Sequence, residues 1–446
     1  MKYNIKTILL LLLFSFISAS RLSAQEYYSL HQLIAAAKKN NHLLKIKEYQ
    51  VQEKISKLNE DEIKKYPVAA IDGSYQYNFK LPDITIPAGT IGSITNLAGE
   101  SQLLPAQASR FTLGEKGNYN IGLTIYQPIT QQFKINTNLD IDKTDIQISQ
   151  KEKAKTAIQI KLAIEQLYYS TLIAKKQAEI AIAKIKLARA KLYDLEGTLA
   201  VGKTTESNRS GLMANVAEEE QYLLKINNQI QDYLTEISML TNLNVEKLNL
   251  KEYEEGNIWI KPIESYKTAL NNNPDMQIAL MNQEKANLGI RTAKQNNLPD
   301  FGLTAGYYLQ QGSPILPANS PYLGVTLKWN IQDLFTYKQI KNQRLSQFRQ
   351  AIENIEYTRQ KVNGEIEKAW RKVKQSDALI AAAKKFVDYC KEALKEQQDK
   401  HFSGLGIKTT FLEIQLRLAQ AEADWYTAKL SSAIALAELE SQTAQR

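Results

Sequence analysis

Cysteine is almost missing from this 446-residue chain, where Cys390 stands alone. One cysteine excludes an intrachain disulfide and a cysteine-rich metal cluster, and its position leaves no thiol for a lipid anchor near the N-terminus. Histidine is nearly as scarce. His31, His42 and His401 lie at no ligand spacing from each other or from the cysteine, and the five methionines do not cluster. No metal site is therefore expected. The chain also lacks an apolar run long enough to be a spanning helix, which needs about 20 residues. The longest run, Ile8–Ile17, follows Lys2 and Lys6 and precedes Leu22-Ser23-Ala24. It reads as a secretory signal over residues 1–24. If the remainder crosses a membrane, it must do so as a β-barrel.

The formal charge is +9, and removal of Lys2, Lys6 and Arg21 leaves about +6. The remaining lysines are interleaved with glutamates along helical stretches, which describes solvated helix faces better than a nucleic-acid surface. The same pairing leaves no isolated carboxylate couple for acid–base chemistry. No enzyme activity, catalytic residue or cofactor is expected.

What is abundant is repetition. Asn41 to Pro67 matches Asn273 to Pro299 at an offset of 232, which Tyr75 and Tyr307 keep. Further along, Gly122 and Gly324 are 202 apart, and Gly202 and Gly406 are 204 apart. The drop of 30 residues falls in one stretch, Lys80–Asn118 in the first copy and Gln310–Pro321 in the second. A period this long indicates a duplicated supersecondary block, not a solenoid. The first repeat covers residues 25–250 and the second 251–446.

Each copy opens with an amphipathic helix, 29–64 and 263–297, ended by Pro67 or Pro299. Two strands of period two follow, at about 69–79 and 118–127 in the first copy and 300–310 and 321–330 in the second. Ile71, Tyr75 and Tyr77 alternate with Asp72, Ser74 and Gln76, so one face is apolar and the other small and polar. A barrel with lipid outside and water within has this pattern. So does an antiparallel sheet resting on a soluble core. Tyr75, Tyr77, Tyr307 and Trp329 are core aromatics in the second case and membrane-interface anchors in the first, which the period-two context favours. Four such strands cannot close a membrane barrel by themselves.

The strands lead into long helices, 131–200 then 206–242, and 333–402 then 409–441. The 3,4-spaced seam from Ala157 to Leu195 has a counterpart from Val362 to Leu394, with Cys390 as a seam residue. Each pair of helices is joined by a short turn, Gly202-Lys203-Thr204-Thr205 or Gly406-Ile407-Lys408-Thr409. The first turn completes a match to the phosphate-loop pattern GxxxxGK[ST], beginning at Gly197. That loop needs a buried strand before it, whereas a heptad helix precedes this one. The match reads as a hairpin turn.

Ser29-Leu30-His31, Asn40-Asn41, the junctions at Pro67 and Pro299, Gly-x-x-Thr at both hairpin tips and the duplication together resemble the TolC-like outer-membrane efflux protein family. The likeness spans essentially the whole chain after the signal. It implies a fold that is mainly α with a β-barrel part: a homotrimer whose 12-stranded outer-membrane β-barrel continues as a long periplasmic α-helical barrel. It implies an exit duct in the outer membrane of a Gram-negative bacterium. The partners would be a periplasmic adaptor (membrane fusion protein) and an inner-membrane pump of the RND, ABC or MFS type. By the same likeness, Gly202, Thr205, Gly406 and Thr409 would meet the adaptor. Family members carry aspartates six and nine positions after the second-tip glycine, where this chain has Leu412 and Gln415. Glu413 or Glu206 would then serve as the periplasmic gate acid. One strand-end proline is also replaced: Gln127-Pro128-Ile129 corresponds to Trp329-Asn330-Ile331. The alternative is a periplasmic coiled-coil adaptor or scaffold of an export complex.

Overall fold

The computed structural model describes residues 27–200, 202–252, 261–313, 316–402 and 408–443. The expected signal segment and Gly406 lie outside these residues. The chain forms two compact units: one holds the residues up to Gln50, Ser149–Leu280 and those from Asn354 onward, the other Val51–Ile148 and Met281–Glu353.

The first unit is helical. Helix α1 (Leu30–Asn40) starts at a capping box in which the Ser29 hydroxyl accepts from the Gln32 N–H and the Gln32 carboxamide accepts from the Ser29 N–H. The sequence predicts one helix over 29–64, but the structure breaks it at Asn41. Asn41 is extended, and its Oδ1 accepts from the N–H groups of Leu43 and Leu44, which starts α2 (His42–Ile63). Its Nδ2 donates to the carbonyl of Leu240, 2.9 Å away. The second copy is also broken, giving a short helix over Ile263–Thr268 and then α5 (Pro274–Asn296). There Asn273 accepts from the Asp275 N–H and donates to the carbonyl of Gln442, each at 2.8 Å. Both asparagines are buried. The amphipathic pattern runs straight through these sites, which is why it hides a break made by a side chain.

Two long hairpins supply most of the rest of this unit, the first turns of α3 and α6 being counted with the second. Helices α3 (Gln131–Ala200) and α4 (Glu206–Thr241) form one, and α6 (Gln332–Phe402) and α7 (Lys408–Thr443) the other. The expected seams are buried: Ile160, Ile164, Ala174, Ala178 and Ile185 in α3, and Val362, Ile366, Val373, Val387 and Cys390 in α6. Ile226, Ile230, Leu234 and Ile237 of α4 join the first core together with Leu33 and Ala37. Polar groups inside the seams are satisfied locally. Thr171 and Thr241 donate to carbonyls one turn back, and Ser376 and Ser432 pair at 2.7 Å.

The second unit holds a four-stranded antiparallel sheet made of β1 (Val68–Tyr77), β2 (Gly117–Pro128), β3 (Asp300–Gln311) and β4 (Asn319–Lys328). Its spatial order is β4-β3-β2-β1, so the two copies join through β2 and β3. The register puts Ile71, Leu123 and Tyr307 in one row and Ala69, Ile125, Ala305 and Leu323 in the next. The long first-copy connection, read from sequence as a turn region, contains two nested ribbons: Asp83–Ile86 pairs with Ser109–Thr112, and Gly92–Thr95 with Ser101–Leu104. Prolines and glycines interrupt the alternation there too often for a strand pattern to be read. The glycines serve the bends, with positive φ at Gly89, Gly92, Gly99 and Gly114.

The Asn41 and Asn273 clamps should each contribute measurably. Asn41→Ala or Asn273→Ala leaves a helix start and a buried carbonyl unsatisfied, at a cost of about 1–3 kcal/mol. Asn41→Asp keeps the acceptor but not the donor and should recover part of that loss. Thermal unfolding followed by circular dichroism measures both.

Candidate functional site

Three places hold the residues that the sequence singled out: the apolar sheet face, the hairpin tips, and the helices next to the strands. On the sheet, the apolar face is uncovered. Ile71 is 79% exposed, Tyr75 71% and Leu323 82%. Tyr75 and Tyr77 lie at the end of the sheet where β1 runs into the ribbon, and Tyr77 meets Phe79 edge-on at 5.4 Å. Trp329 follows the opposite end, and its indole N–H donates to the Asn297 carbonyl at 3.3 Å. Tyr307 sits within the apolar band between them, level with Ile71 and Leu123. The ten residues of β1 extend for about 33 Å, which at a barrel tilt near 40° gives a band roughly 25 Å tall. That height matches the apolar girdle of an outer-membrane barrel.

The opposite face is more than small and polar. Tyr126, Tyr308 and Tyr322 lie on it, each laid over a glycine of the neighbouring strand. A Cβ on Gly302, Gly122 or Gly306 would come within 2.3, 2.4 or 2.5 Å of the respective ring. No alternation pattern reports this, because each pairing depends on the register between strands.

At the first tip, α3 ends in a Schellman motif. Gly202 has φ +70°, its N–H donates to the Leu199 carbonyl, and the Lys203 N–H donates to the Thr198 carbonyl, both at 3.0 Å. The glycine-lysine pair is thus a helix cap, and Gly197 lies inside the helix. No strand introduces a phosphate loop here. A Cβ on Gly202 would enter open space, so only its backbone conformation demands glycine. Thr205 is the N-cap of α4, and Thr204 accepts from the Asn208 carboxamide at 3.1 Å. Glu206 binds Arg209 at 2.7 Å, and Arg209 also reaches Glu196 across the hairpin at 3.6 Å.

At the second tip, Thr409 is half-buried in the first turn of α7, Leu412 is half-buried, and Gln415 is exposed. Glu413 is held by Lys191 of α3 at 2.5 Å. Of the residues expected at a gate, Glu413 ties one long hairpin to the other.

Near the strands, α2 and α3 bring acids together. Asp61 is ion-paired with Lys64 at 2.5 Å and Lys57 at 3.2 Å, which hold its carboxyl below the usual range. Asp142 faces it, with Oδ2 buried. Burial first, then the hydrogen bond and charge of Asp61, raise the Asp142 carboxyl to about 6 despite the opposing charge of Lys57; Asp145 adds to the rise. Asp145 is itself bound by Lys285 at 2.6 Å. Among the described residues no helix is long and apolar enough to cross a membrane, and no cluster of His, Cys, Asp or Glu could hold a metal ion.

The chain thus combines an amphipathic sheet whose apolar face is exposed with two long helical hairpins. Residues 265–445 match the family described as outer membrane efflux protein. No curated protein matches the chain in sequence. Solved structures do. The Campylobacter jejuni CmeC outer membrane channel is 17% identical with a TM-score of 0.73, over 93% of this chain and 85% of that one. The outer membrane protein VceC of Vibrio cholerae gives 14%, 0.69, 93% and 95%, and the open state of the Neisseria gonorrhoeae MtrE outer membrane channel 16%, 0.63, 93% and 88%. The family match is confined to residues 265–445, while the fold shared with these solved outer-membrane channels extends over 93% of the chain.

Because the folded state favours the protonated Asp142, its contribution to stability is present near pH 4 and is lost as pH rises through about 6. Asp142→Asn should therefore stabilise the protein at pH 7.5, on the order of 1 kcal/mol for this partly screened site. The gain should vanish toward pH 4 in parallel melts at the two pH values.

Proposed function

We propose that this chain is the outer-membrane exit duct of a tripartite efflux or secretion system, passing small molecules from a periplasmic pump complex to the exterior. The observation that carries this reading is the four-stranded sheet, with one uncovered apolar face and two edge strands, β1 and β4, that pair with nothing among the described residues. Three copies supply twelve strands, and edge-to-edge pairing closes the barrel. The fold shared with outer-membrane channels over 93% of the chain supports the duct over a periplasmic adaptor.

Outer membrane efflux proteins work with efflux-pump components. We take the direct partner to be a periplasmic adaptor serving an RND, ABC or MFS pump, met at Gly202, Thr205, Gly406 and Thr409. Leu412, Gln415, Glu206 and the Lys191–Glu413 pair form the periplasmic gate, and it opens as the hairpins part. The protein performs no chemistry of its own; partners supply energy and cargo choice. The duplicated blocks are residues 25–250 and 251–446, after a signal of 24 residues.

Two outcomes follow. Ile71→Lys or Val325→Arg puts a charge on the lipid face, at about 2–4 kcal/mol near the bilayer midplane. Each should abolish the heat-modifiable trimer in outer-membrane fractions, whereas Ser74→Lys on the opposite face should leave it. Gly202→Val strains a left-handed residue by about 1–2 kcal/mol and adds bulk at the tip. Efflux-dependent resistance should fall at least about tenfold with trimer intact. Normal resistance in that strain removes this tip from the adaptor contact.

A further inference from the structure

The polar face of the sheet carries one uncompensated acid within its strands. Asp72 shares a row with Gly122, Tyr308 and Ser320. Its Oδ2 lies 3.1 Å from the point where a Gly122 Cβ would stand, and the Tyr308 ring approaches the same point to 2.4 Å. Carboxylate and ring are therefore side by side, above a backbone that only glycine keeps clear. Asp300 faces the same way but is bound by Lys134 at 2.7 Å. Asp72 is exposed and makes no ion pair among the described residues. The nearest cations along this face are Lys116, six residues from Gly122 on the paired continuation of β2 and about 20 Å away, and Lys328, eight residues from Ser320 on β4. Both separations, about 20 and about 27 Å of strand, exceed a screening length of about 8 Å.

The aromatic neighbour is fixed. Tyr308 stacks on Tyr322 at 5.2 Å with 12° between planes, and the Tyr322 hydroxyl meets the Thr124 hydroxyl at 3.1 Å. Both rings are held close over glycines of the neighbouring strand, Tyr308 over Gly122 and Tyr322 over Gly306, so the pair stays beside Asp72.

We propose that Asp72 and the Tyr308–Tyr322 pair form a cation-selecting site in the wall of the duct, fitted to organic cations with an aromatic or quaternary ammonium centre. The carboxylate supplies charge, and the pinned rings supply the face on which a weakly hydrated cation rests. The site rests on the trimeric duct reading, in which three copies place three carboxylates at one height and form a ring.

Ser74→Cys puts a thiol on the same face one row from Asp72, and the parent chain, whose Cys390 is buried, serves as the blank. Whole cells are labelled with cationic and anionic methanethiosulfonates of similar size, each rate normalised to a free thiol in solution. With Asp72 present the cationic reagent should react about five- to tenfold faster. Asp72→Asn should bring the ratio close to one, and Asp72→Lys should invert it. Tetraphenylphosphonium should protect the thiol from a neutral reagent, and Tyr308→Ala should reduce that protection at least about threefold. Labelling with a ratio that Asp72→Asn leaves unchanged overturns the site while the duct stands. If neither reagent labels the thiol although the trimer is in the outer membrane, the face does not line water and the duct reading itself fails.

Discussion

Everything in this chain is arranged around backbone that the protomer leaves unpaired. Strands β1 and β4 are the edges of a four-stranded sheet whose apolar face is exposed. In hydrocarbon an unpaired N–H or C=O costs several kcal/mol, so an open edge cannot be lipid-facing. The sheet is too narrow to close on itself, and its edges are complementary to further copies of the same sheet. Duplication supplies half of the solution: each copy contributes one hairpin, and β2 against β3 joins them without any new element. In the proposed duct, assembly of three copies would supply the rest.

The polar face follows the same economy of backbone. Tyr126, Tyr308 and Tyr322 occupy grooves opened by glycines on the neighbouring strand, so bulky residues cover the ladder while the space inside stays clear. This packing fixes register. A slip of one residue would drive each ring into a side chain and turn the apolar residues inward. On the helical side, Asn41 and Asn273 play the equivalent part. Each starts a helix with one side-chain atom and ties the end of a return helix with another.

Much of this was legible in the residues. The alternation through Ile71, Tyr75 and Tyr77 marks a strand, and the seam from Val362 through Val373 to Cys390 marks a buried helix face. Pro67 and Pro299 mark the junctions. All of these are local patterns whose period survives in one dimension. The breaks at Asn41 and Asn273 were not legible, because the apolar pattern continues across them while the partner carbonyls lie 199 and 169 residues away. The nested ribbons between Asp83 and Thr112 were hidden by the glycines and prolines that make their bends. The contacts Tyr126–Gly302, Tyr308–Gly122 and Asp61–Asp142 join segments about 80 to 190 residues apart, and Tyr322 over Gly306 depends on the register of one hairpin. Only the paired structure reveals them.

The hairpin tips show how one short motif carries different meanings at different levels. As a string, Gly197 to Thr204 matches a phosphate loop. As structure, Gly202 and Lys203 close a helix with two backbone bonds, and the N–H groups a phosphate would need are already donating to Leu199 and Thr198. The side chains that point away from this cap are held as well: Arg209 sits between Glu206 and Glu196, and Glu413 is bound by Lys191. Acids at this end are therefore engaged in joining helices, and the gate proposed above would open by breaking pairs such as Lys191–Glu413 between hairpins. Such pairs are exposed and individually weak, near 0–1 kcal/mol each. Contacts of that size suit the proposed closure, which a docking partner would have to undo.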